Sequence, residues 1–227
     1  MSHRALVTGA SSGIGAAIVD LLLSQGWQVT GLSRSRIRRD NPQFRWVSVN
    51  LADSTALRQA LSGLETPQAI VHAAGMMQAA RLGALNPDIS QQLWQLHIAV
   101  AETLTNTFAS QMTEGGRIVL LGSRTSRGAA GRSQYVATKA AMVGMVRSWA
   151  AELAPRGITA NVVAPGATET PMLMQPGRES SPPNLPPIGR FIQPQEVAQL
   201  VGYLLSPAAA AITGQELVIC GGASLQT

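Results

Sequence analysis

Short runs of β-branched and apolar residues alternate along the chain with longer stretches in which apolar residues recur at helical spacing. The short runs predict seven strands, at 5–8, 28–32, 46–49, 69–72, 117–121, 159–163 and 216–219. Helices are predicted between them at 14–24, 89–112, 134–154 and 194–205. Such alternation is typical of a parallel sheet that is covered on both faces. We therefore predict an α/β fold, a doubly wound parallel sheet of about seven strands with helices on both faces.

One long segment departs from this alternation. Residues 170–192, the proline-rich segment, contain six prolines and show no regular periodicity. So long an irregular stretch within a compact domain is usually a lid or a binding loop. We predict one domain over 1–227, with 170–192 as a substrate-covering loop. The apolar residues of this loop either face the substrate or pack on the core: Met172, Leu173, Met174, Leu185 and Ile188.

The composition favours a globular chain. Hydrophobic residues make up 45% and charged residues 13% of the 227 positions, enough for a sizeable core and unlike a disordered chain. No apolar run approaches the roughly 18 residues of a membrane span, and no secretory leader is recognisable. We expect a soluble, cytoplasmic protein with no membrane partner. The single cysteine, Cys220, excludes an internal disulfide and is expected to be a buried thiol.

The formal net charge of +5 raises the question of nucleic-acid binding. A local cluster, Arg34, Arg36, Arg38 and Arg39, carries part of this charge, but no basic stripe interleaved with aromatic residues follows it. A small anion such as a cofactor phosphate explains the cluster equally well. We expect no nucleic-acid partner, and we assign no metal ligands.

A glycine-rich turn follows the first predicted strand and precedes a helix. Glycines at positions 9, 13 and 15 permit a tight turn, and the helix N-terminus can face a pyrophosphate. A turn that binds no ligand is the alternative, but the position between strand and helix favours a Rossmann-like dinucleotide site. The residues assigned to this site are Gly9, Ser11, Ser12, Gly13, Ile14 and Gly15.

The end of the second predicted strand bears on which dinucleotide binds. Ser33 and Arg34 stand where NAD-binding proteins carry an acidic residue that holds the ribose 2′-hydroxyl. A carboxylate would repel a 2′-phosphate, whereas a hydroxyl and a guanidinium would bind it through charge-assisted hydrogen bonds. We therefore predict NADP(H) in preference to NAD(H). A solvated surface arginine is the alternative.

Tyr135 and Lys139 form the strongest chemical signal in the sequence. They lie four residues apart in a predicted helix, so both side chains project from the same face. The chain has sixteen arginines but one lysine, and only two tyrosines. Chance is therefore a poor explanation for a lysine four residues after a tyrosine. A nearby ammonium favours the phenolate and lowers the phenol pKa from its usual value of about 10. The pair therefore suits proton transfer to a carbonyl oxygen.

Ser123 ends the fifth predicted strand, at the sheet edge where ligands of such folds bind. Its hydroxyl can donate a hydrogen bond to a substrate oxygen as negative charge develops there. Alone it would be read as a turn residue, but Tyr135 and Lys139 downstream favour a catalytic role.

Together these residues resemble the short-chain dehydrogenase/reductase family, in its compact single-domain form, over nearly the whole chain. The resemblance implies that Tyr135 donates the proton, that Lys139 lowers the phenol pKa and binds the nicotinamide ribose, and that Ser123 polarises the carbonyl. It also implies that Thr170 and the backbone near Thr168 hold the carboxamide. Further cofactor contacts are assigned to Asn50, Leu51, Ala73, Ala74, Gly75, Pro165, Gly166 and Met172.

The chain departs from the family pattern at several positions. Asn50 replaces the usual aspartate near adenine, and His72 and Ala73 replace two asparagines. His97 replaces the asparagine that positions a water in the proton relay, so it either serves the relay or is a core histidine. The link between the second and third strands is too short for the helix that the family commonly has there.

We predict an NADPH-dependent reductase, reversible to alcohol oxidation, of an apolar or mid-sized carbonyl compound. A non-catalytic NADP(H)-binding regulator on the same fold is the alternative, although binding alone does not need a tuned phenol. The helices that contain Ile89 and Gln134 resemble those through which family members form homodimers and homotetramers. Small residues on the second of these helices would permit close contact: Ala137, Ala140, Ala141 and Gly144.

Overall fold

Seven parallel strands form one sheet in the computed structural model, which describes residues 3–174 and 182–225. In chain order they are β1 Arg4–Thr8, β2 Gln28–Ser33, β3 Phe44–Ser48, β4 Ala69–His72, β5 Arg117–Leu121, β6 Thr159–Pro165 and β7 Glu216–Ile219. Their order across the sheet is β3-β2-β1-β4-β5-β6-β7. The direction of winding reverses between β1 and β4, so a crevice opens at the carboxyl ends of these strands, where ligands bind.

Helices cover both faces of the sheet, which confirms the predicted doubly wound, Rossmann-like fold. They are α1 Gly13–Ser24, α2 Ser54–Ser62, α3 Pro87–Trp94, α4 Val100–Phe108, α5 Ser133–Leu153 and α6 Pro194–Leu205. One core lies under α1 and α6 and includes Ile18 and Val201. The other lies under α2, α4 and α5 and includes Leu104 and Met142.

The predicted helix at 89–112 is shorter and is interrupted. A π-helical turn, Gln95–Ala99, separates α3 from α4, and α4 ends at Phe108. Within this turn the amide of Val100 donates to the carbonyl of Gln95, five residues back. Such π-turns occur frequently at functional sites. Here the wider turn contains His97.

Helix α2 was not predicted from the pattern. It has nine residues and buries only Leu57 and Leu61, so its apolar pattern spans too few turns to stand out in the sequence. The carboxylate of Asp53 caps it by accepting from the amides of Thr55 and Ala56. Satisfying otherwise unpaired helix donors in this way stabilises so short a helix.

The link between β2 and β3 contains no helix, in agreement with its predicted brevity. The arginine cluster divides in two within this link. Arg39 pairs with Asp20 of α1 and lies over the ring of Phe44, whereas Arg34, Arg36 and Arg38 are exposed. Within residues 3–174 and 182–225, no helix combines the length and apolar character needed to span a bilayer.

Candidate active site

The glycine-rich turn joins β1 to α1 in a geometry that only small residues allow. Gly9 and Gly13 have φ angles of 67° and 54°, in the left-handed region that favours glycine. A Cβ atom on Gly15 would lie 2.2 Å from the carbonyl oxygen of Gly9, and one on Gly9 would lie 2.8 Å from the amide nitrogen of Ala74. Helix α1 begins at this turn, so its first amides and the positive end of its dipole are available to a phosphate. The turn therefore fits the pyrophosphate of a dinucleotide.

Beside this turn, Ser33 and Arg34 end β2 with opposite orientations. Ser33 is buried; its hydroxyl donates to the carbonyl of Ser35 at 2.8 Å and accepts from the Trp46 indole at 3.0 Å. Arg34 is exposed. The hydroxyl that the sequence assigned to phosphate binding is thus held within the loop, and the guanidinium is the group that reaches solvent. Trp46 lies thirteen residues from Ser33, and no local motif indicated this contact.

The end of β3 leads directly into a turn. The side-chain oxygen of Asn50 accepts from the amide of Ala52 at 3.2 Å, and Leu51 is buried. Asn50 is exposed, at the crevice side of the sheet edge. Asn50 and Arg34 are thus both exposed at the ends of neighbouring strands, and neither contributes a negative charge.

A cavity of about 410 Å³ lies at the carboxyl ends of β5 and β6. It brings together twelve of the predicted site residues: Ile14, Ala73, Gly75, His97, Ser123, Tyr135, Lys139, Pro165, Gly166, Thr168, Thr170 and Met172. The other predicted residues lie outside its lining, in the glycine-rich turn and at the ends of β2, β3 and β4. These are Gly9, Ser11, Ser12, Gly13, Gly15, Ser33, Arg34, Asn50, Leu51 and Ala74. The crevice thus extends from the turn to the cavity.

Tyr135 and Lys139 face this cavity from the first turns of α5. The Nζ atom of Lys139 lies 5.8 Å from the centre of the Tyr135 ring. It donates to the carbonyl oxygen of Leu121 at 2.7 Å, and its side chain is almost fully buried. Burial lowers the pKa of Lys139 from 10.5 to about 7. The cation is therefore placed beside the phenol in a site of low dielectric, where its field is strong.

Ser123 follows β5 and caps a short 3₁₀ turn. Its Oγ atom accepts from the amide of Thr125 at 3.3 Å and lies 2.9 Å from the Thr125 hydroxyl. When Thr125 donates to Ser123, the Ser123 hydroxyl proton is left to point into the cavity. Thr125 is buried and also lines the cavity, but its role was not predicted. The available signal was a second hydroxyl side chain two residues after Ser123.

His97 reaches the same cavity from the π-helical turn. Its Nε2 atom accepts from the amide of Met76 at 3.2 Å, so the proton of the neutral ring is on Nδ1. Nδ1 lies 2.8 Å from the Thr138 hydroxyl, which donates to the carbonyl of Tyr135 at 2.9 Å. Burial, and then the charge of Lys139, hold the pKa of His97 far below its usual range. The ring is a hydrogen-bonded neutral imidazole.

His72 ends β4 and is also buried and neutral. Its Nε2 atom donates to the carbonyl of Leu96 at 3.1 Å, and its Nδ1 atom accepts from the Thr8 hydroxyl at 2.8 Å. The Thr8 oxygen in turn accepts from the amide of Ala74. Burial, followed by the charge of Lys139, lowers the pKa of His72 to about 3. His72 therefore joins the strand before the glycine-rich turn to the π-helical turn.

The segment after β6 lies against the glycine-rich turn. The methyl group of Thr170 would be 3.1 Å from a Cβ on Gly13, and the Thr170 hydroxyl donates to the carbonyl of Thr168 at 3.3 Å. A short parallel bridge pairs Thr168 with Ile192. A Cβ on Gly166 would lie 2.9 Å from the Cα of Cys220, whose thiol is buried. These contacts place the predicted carboxamide-binding residues beside the glycine-rich turn, in the lining of the same cavity as Tyr135.

The proline-rich segment contributes to the cavity wall from both of its described parts. Met172 and Leu173 line the cavity on one side, and Pro182, Pro183, Asn184 and Leu185 on the other. Met174 and Ile188 lie outside the cavity lining and are exposed, and Leu185 is exposed as well as lining the cavity. Residues 175–181, which include Pro176, lie outside the described residues. No group of three or more His, Cys, Asp or Glu side chains suited to a metal occurs in the described ranges.

Comparisons with known proteins bear on the family of this chain. A family model described as enoyl-(acyl carrier protein) reductase matches residues 9–224. The 3-oxoacyl-[acyl-carrier-protein] reductase FabG of Vibrio cholerae is 32% identical over 233 residues, covering 96% of each chain. A putative ketoacyl reductase of Streptomyces coelicolor is 33% identical, with 97% of each chain covered.

Solved structures show the same relationship. The crystal structure of BdcA in complex with NADPH has a TM-score of 0.87 and 33% identity, covering 97% of this chain and 95% of BdcA. A short chain dehydrogenase family protein from Francisella tularensis has a TM-score of 0.90 over 100% of both chains, and at 24% identity it supports the fold alone. The family model, the curated relatives and the shared seven-stranded sheet lead to one conclusion. The chain belongs to the short-chain dehydrogenase/reductase family of oxidoreductases.

Proposed function

We propose that this protein is an NADPH-dependent reductase of a carbonyl substrate, with Tyr135 as the proton donor. One observation carries the proposal: a single cavity is lined by Ser123, Tyr135 and Lys139 and adjoins a glycine-rich turn that fits a dinucleotide. Binding a dinucleotide does not require a phenol beside a buried ammonium. A phenol beside a buried ammonium is needed for proton transfer.

The proposed reaction divides the chemistry between the cofactor and the chain. Bound NADPH would supply the hydride for the carbonyl carbon. Tyr135 gives its phenolic proton to the carbonyl oxygen, which completes the alcohol. The Lys139 ammonium stabilises the phenolate that remains, because it is almost fully buried and lies 5.8 Å from the centre of the phenol ring. Ser123 donates a hydrogen bond to the same oxygen, and the Thr125 hydroxyl aligns it.

NADPH is the proposed cofactor in preference to NADH. Arg34 is exposed at the end of β2 and no carboxylate stands at positions 33 or 34. The NADPH complex of BdcA, a relative of 33% identity, supports this choice. The glycine-rich turn would hold the pyrophosphate, and Thr168 and Thr170 would hold the nicotinamide end.

The substrate proposed is an apolar or mid-sized carbonyl compound, and 3-oxoacyl thioesters are the first class to test. Relatives named 3-oxoacyl-[acyl-carrier-protein] reductase and putative ketoacyl reductase share about a third of their residues with this chain. The cavity wall combines Met172, Leu173 and Leu185 with the polar reaction site. In this proposal the proline-rich segment covers the acyl part of the substrate.

A homodimer or homotetramer built on α4 and α5 is also proposed. Ala137, Ala140 and Gly144 are exposed along α5, and a hollow of about 430 Å³ beside Trp149 opens between the two helices. Small residues allow the helices of a second copy to approach closely. Light scattering of the purified protein would measure the molar mass. A cytoplasmic location remains a prediction.

The decisive experiment follows NADPH consumption with a panel of ketones and 3-oxoacyl thioesters, for wild type and Tyr135→Phe. We expect turnover by wild type and a loss of about a thousandfold or more in the variant, because the proton donor is removed. Tyr203→Phe, which removes the other, exposed tyrosine, is the matched control and should retain activity. Turnover that survives Tyr135→Phe would refute the mechanism. Tight NADPH binding without any turnover would favour the non-catalytic regulator.

A further inference from the structure

We propose that His97 is a positioning residue, which holds Tyr135 through Thr138 as a neutral imidazole and carries no proton in the reaction. This inference rests on the proposed function of Tyr135. It resolves the two interpretations of His97 that the sequence left open. It also assigns a part in the site to Thr138, which no sequence motif had indicated.

Two separate contacts connect His97 to Tyr135. The first is a hydrogen-bond chain, from His97 Nδ1 to the Thr138 hydroxyl and from there to the carbonyl of Tyr135, at 2.8 and 2.9 Å. The second is a ring contact, since the His97 and Tyr135 rings meet edge to face with centres 5.7 Å apart and an interplanar angle of 81°. One contact fixes the backbone of Tyr135 and the other its ring. Both therefore act on the direction of the phenol.

The second ring nitrogen of His97 is already engaged. Nε2 accepts from the amide of Met76 at 3.2 Å, so the ring uses its one proton and its one in-plane lone pair in fixed hydrogen bonds. To gain a proton, Nε2 would have to release this amide. It would also place a second cation close to Lys139, in a site where His97 itself is fully buried. The loss of the Met76 hydrogen bond and the second buried cation both disfavour a proton relay through His97.

His72 supports this arrangement from the strand side. The charged or titratable groups that face His97 are Lys139 and Tyr135 on α5 and His72 on β4. His72 donates to the carbonyl of Leu96, the residue before His97, and is itself held by Thr8. The π-helical turn is thus anchored on one side to β1 and β4, and on the other to α5. The position of Tyr135 is coupled through this network to the strand that leads into the glycine-rich turn.

The activity test compares His97→Asn with His97→Leu. The amide nitrogen of asparagine falls near the position of His97 Nδ1, so His97→Asn can keep the hydrogen bond to Thr138, whereas leucine keeps neither hydrogen bond. We expect His97→Asn to retain kcat within about threefold with an unchanged pH–rate profile, and His97→Leu to lose about tenfold or more. Thr138→Ser and Thr138→Val form a second pair, because serine keeps the hydroxyl that joins His97 to Tyr135 and valine removes it. The His97→Leu, Thr138→Val double variant should lose no more than the worse single variant, because both break one chain.

A second readout does not require turnover. In a Tyr203→Phe background Tyr135 is the only tyrosine, so its ionisation is visible in the ultraviolet absorbance of the tyrosinate. We expect Thr138→Val and His97→Leu to raise the Tyr135 pKa by about one unit, because the ring loses its alignment with Lys139. His97→Asn and Thr138→Ser should leave it unchanged. If circular dichroism shows that His97→Leu does not fold, the test is made with Thr138→Val.

The outcomes separate this inference from the proposed function. A pH–rate profile altered by His97→Asn would show a relay and overturn the inference. Full activity in both His97→Leu and Thr138→Val, with Tyr135→Phe inactive, would overturn it while leaving the proposed function intact. If wild type reduces no carbonyl but the Tyr135 titration responds as expected, the positioning role stands and the reductase proposal fails.

Discussion

The ammonium of Lys139 donates to the carbonyl oxygen of Leu121 at 2.7 Å, where α5 passes the end of β5. Only 4% of the Lys139 surface is exposed, and its burial lowers the pKa from 10.5 to about 7. A buried cation with one main-chain partner destabilises the folded protein relative to an apolar side chain of similar size. The same cation is what the proposed proton transfer requires. The site therefore combines a catalytic need with a cost in stability.

Replacing Lys139 by methionine should raise stability and abolish activity. Between pH values of about 7 and 10.5 the unfolded chain holds a proton that folded Lys139 has released, so wild-type stability rises with pH across this window. The variant lacks this rise. We expect it to exceed wild type by about 1–3 kcal/mol in free energy of unfolding below about pH 7, with the gap closing at higher pH.

Denaturant unfolding of both proteins at several pH values would measure this difference. Arg147→Met, which removes an exposed cation from the same helix, is the matched control and should change stability by less than about 0.5 kcal/mol. A variant less stable than wild type at low pH would show that the buried ammonium is a net stabilising group.

Thr125 should be needed for Ser123 to act. The Thr125 hydroxyl lies 2.9 Å from Ser123 Oγ and can direct the serine proton to the substrate. We expect Ser123→Ala to lower kcat by about a hundredfold and Thr125→Val by about tenfold, while Thr125→Ser keeps the activity. Steady-state kinetics would measure kcat and KM separately. Equal activity of Thr125→Val and wild type would mean that Ser123 needs no aligning partner.

Arg34 should determine the preference for NADPH. Loss of a charge-assisted hydrogen bond to a phosphate corresponds to a loss of about 10- to 100-fold in affinity. We expect Arg34→Ala to weaken NADPH binding by this factor and to leave NADH binding unchanged, measured by cofactor fluorescence. Arg38→Ala, another exposed arginine of the same link, is the control. Unchanged NADPH affinity in Arg34→Ala would remove the basis for the cofactor preference.

The close approach of Gly15 to Gly9 makes the turn sensitive to a single methyl group. A Cβ on Gly15 would lie 2.2 Å from the carbonyl oxygen of Gly9, so Gly15→Ala must displace the backbone of the turn. We expect at least about a tenfold loss of NADPH affinity, since the amides no longer converge on the phosphates. Gly63→Ala is the control. A Cβ on Gly63 would have no described atom within 4 Å, so this variant should bind NADPH as the wild type does. Normal binding by Gly15→Ala would contradict the assigned site.

The sequence by itself determined the parallel sheet with its seven strands in chain order, four helical stretches between them, and the resemblance to the family. Those signals are local: apolar runs, helical periodicity, a glycine turn between strand and helix, and a tyrosine four residues before a lysine. The short helix α2 and the π-helical turn escaped them, because a nine-residue helix repeats its apolar pattern over too few turns and a one-residue widening leaves no pattern.

Only the tertiary structure decided how the remaining side chains are used. The Ser33 hydroxyl turns inward because Trp46 on the neighbouring strand binds it, and His97 meets Thr138 across 41 residues of chain. Such contacts depend on how packed elements bring distant residues together, which no local spacing records. The tautomers of both buried histidines follow from the same packing, since the carbonyl of Leu96 can only accept and the amide of Met76 can only donate.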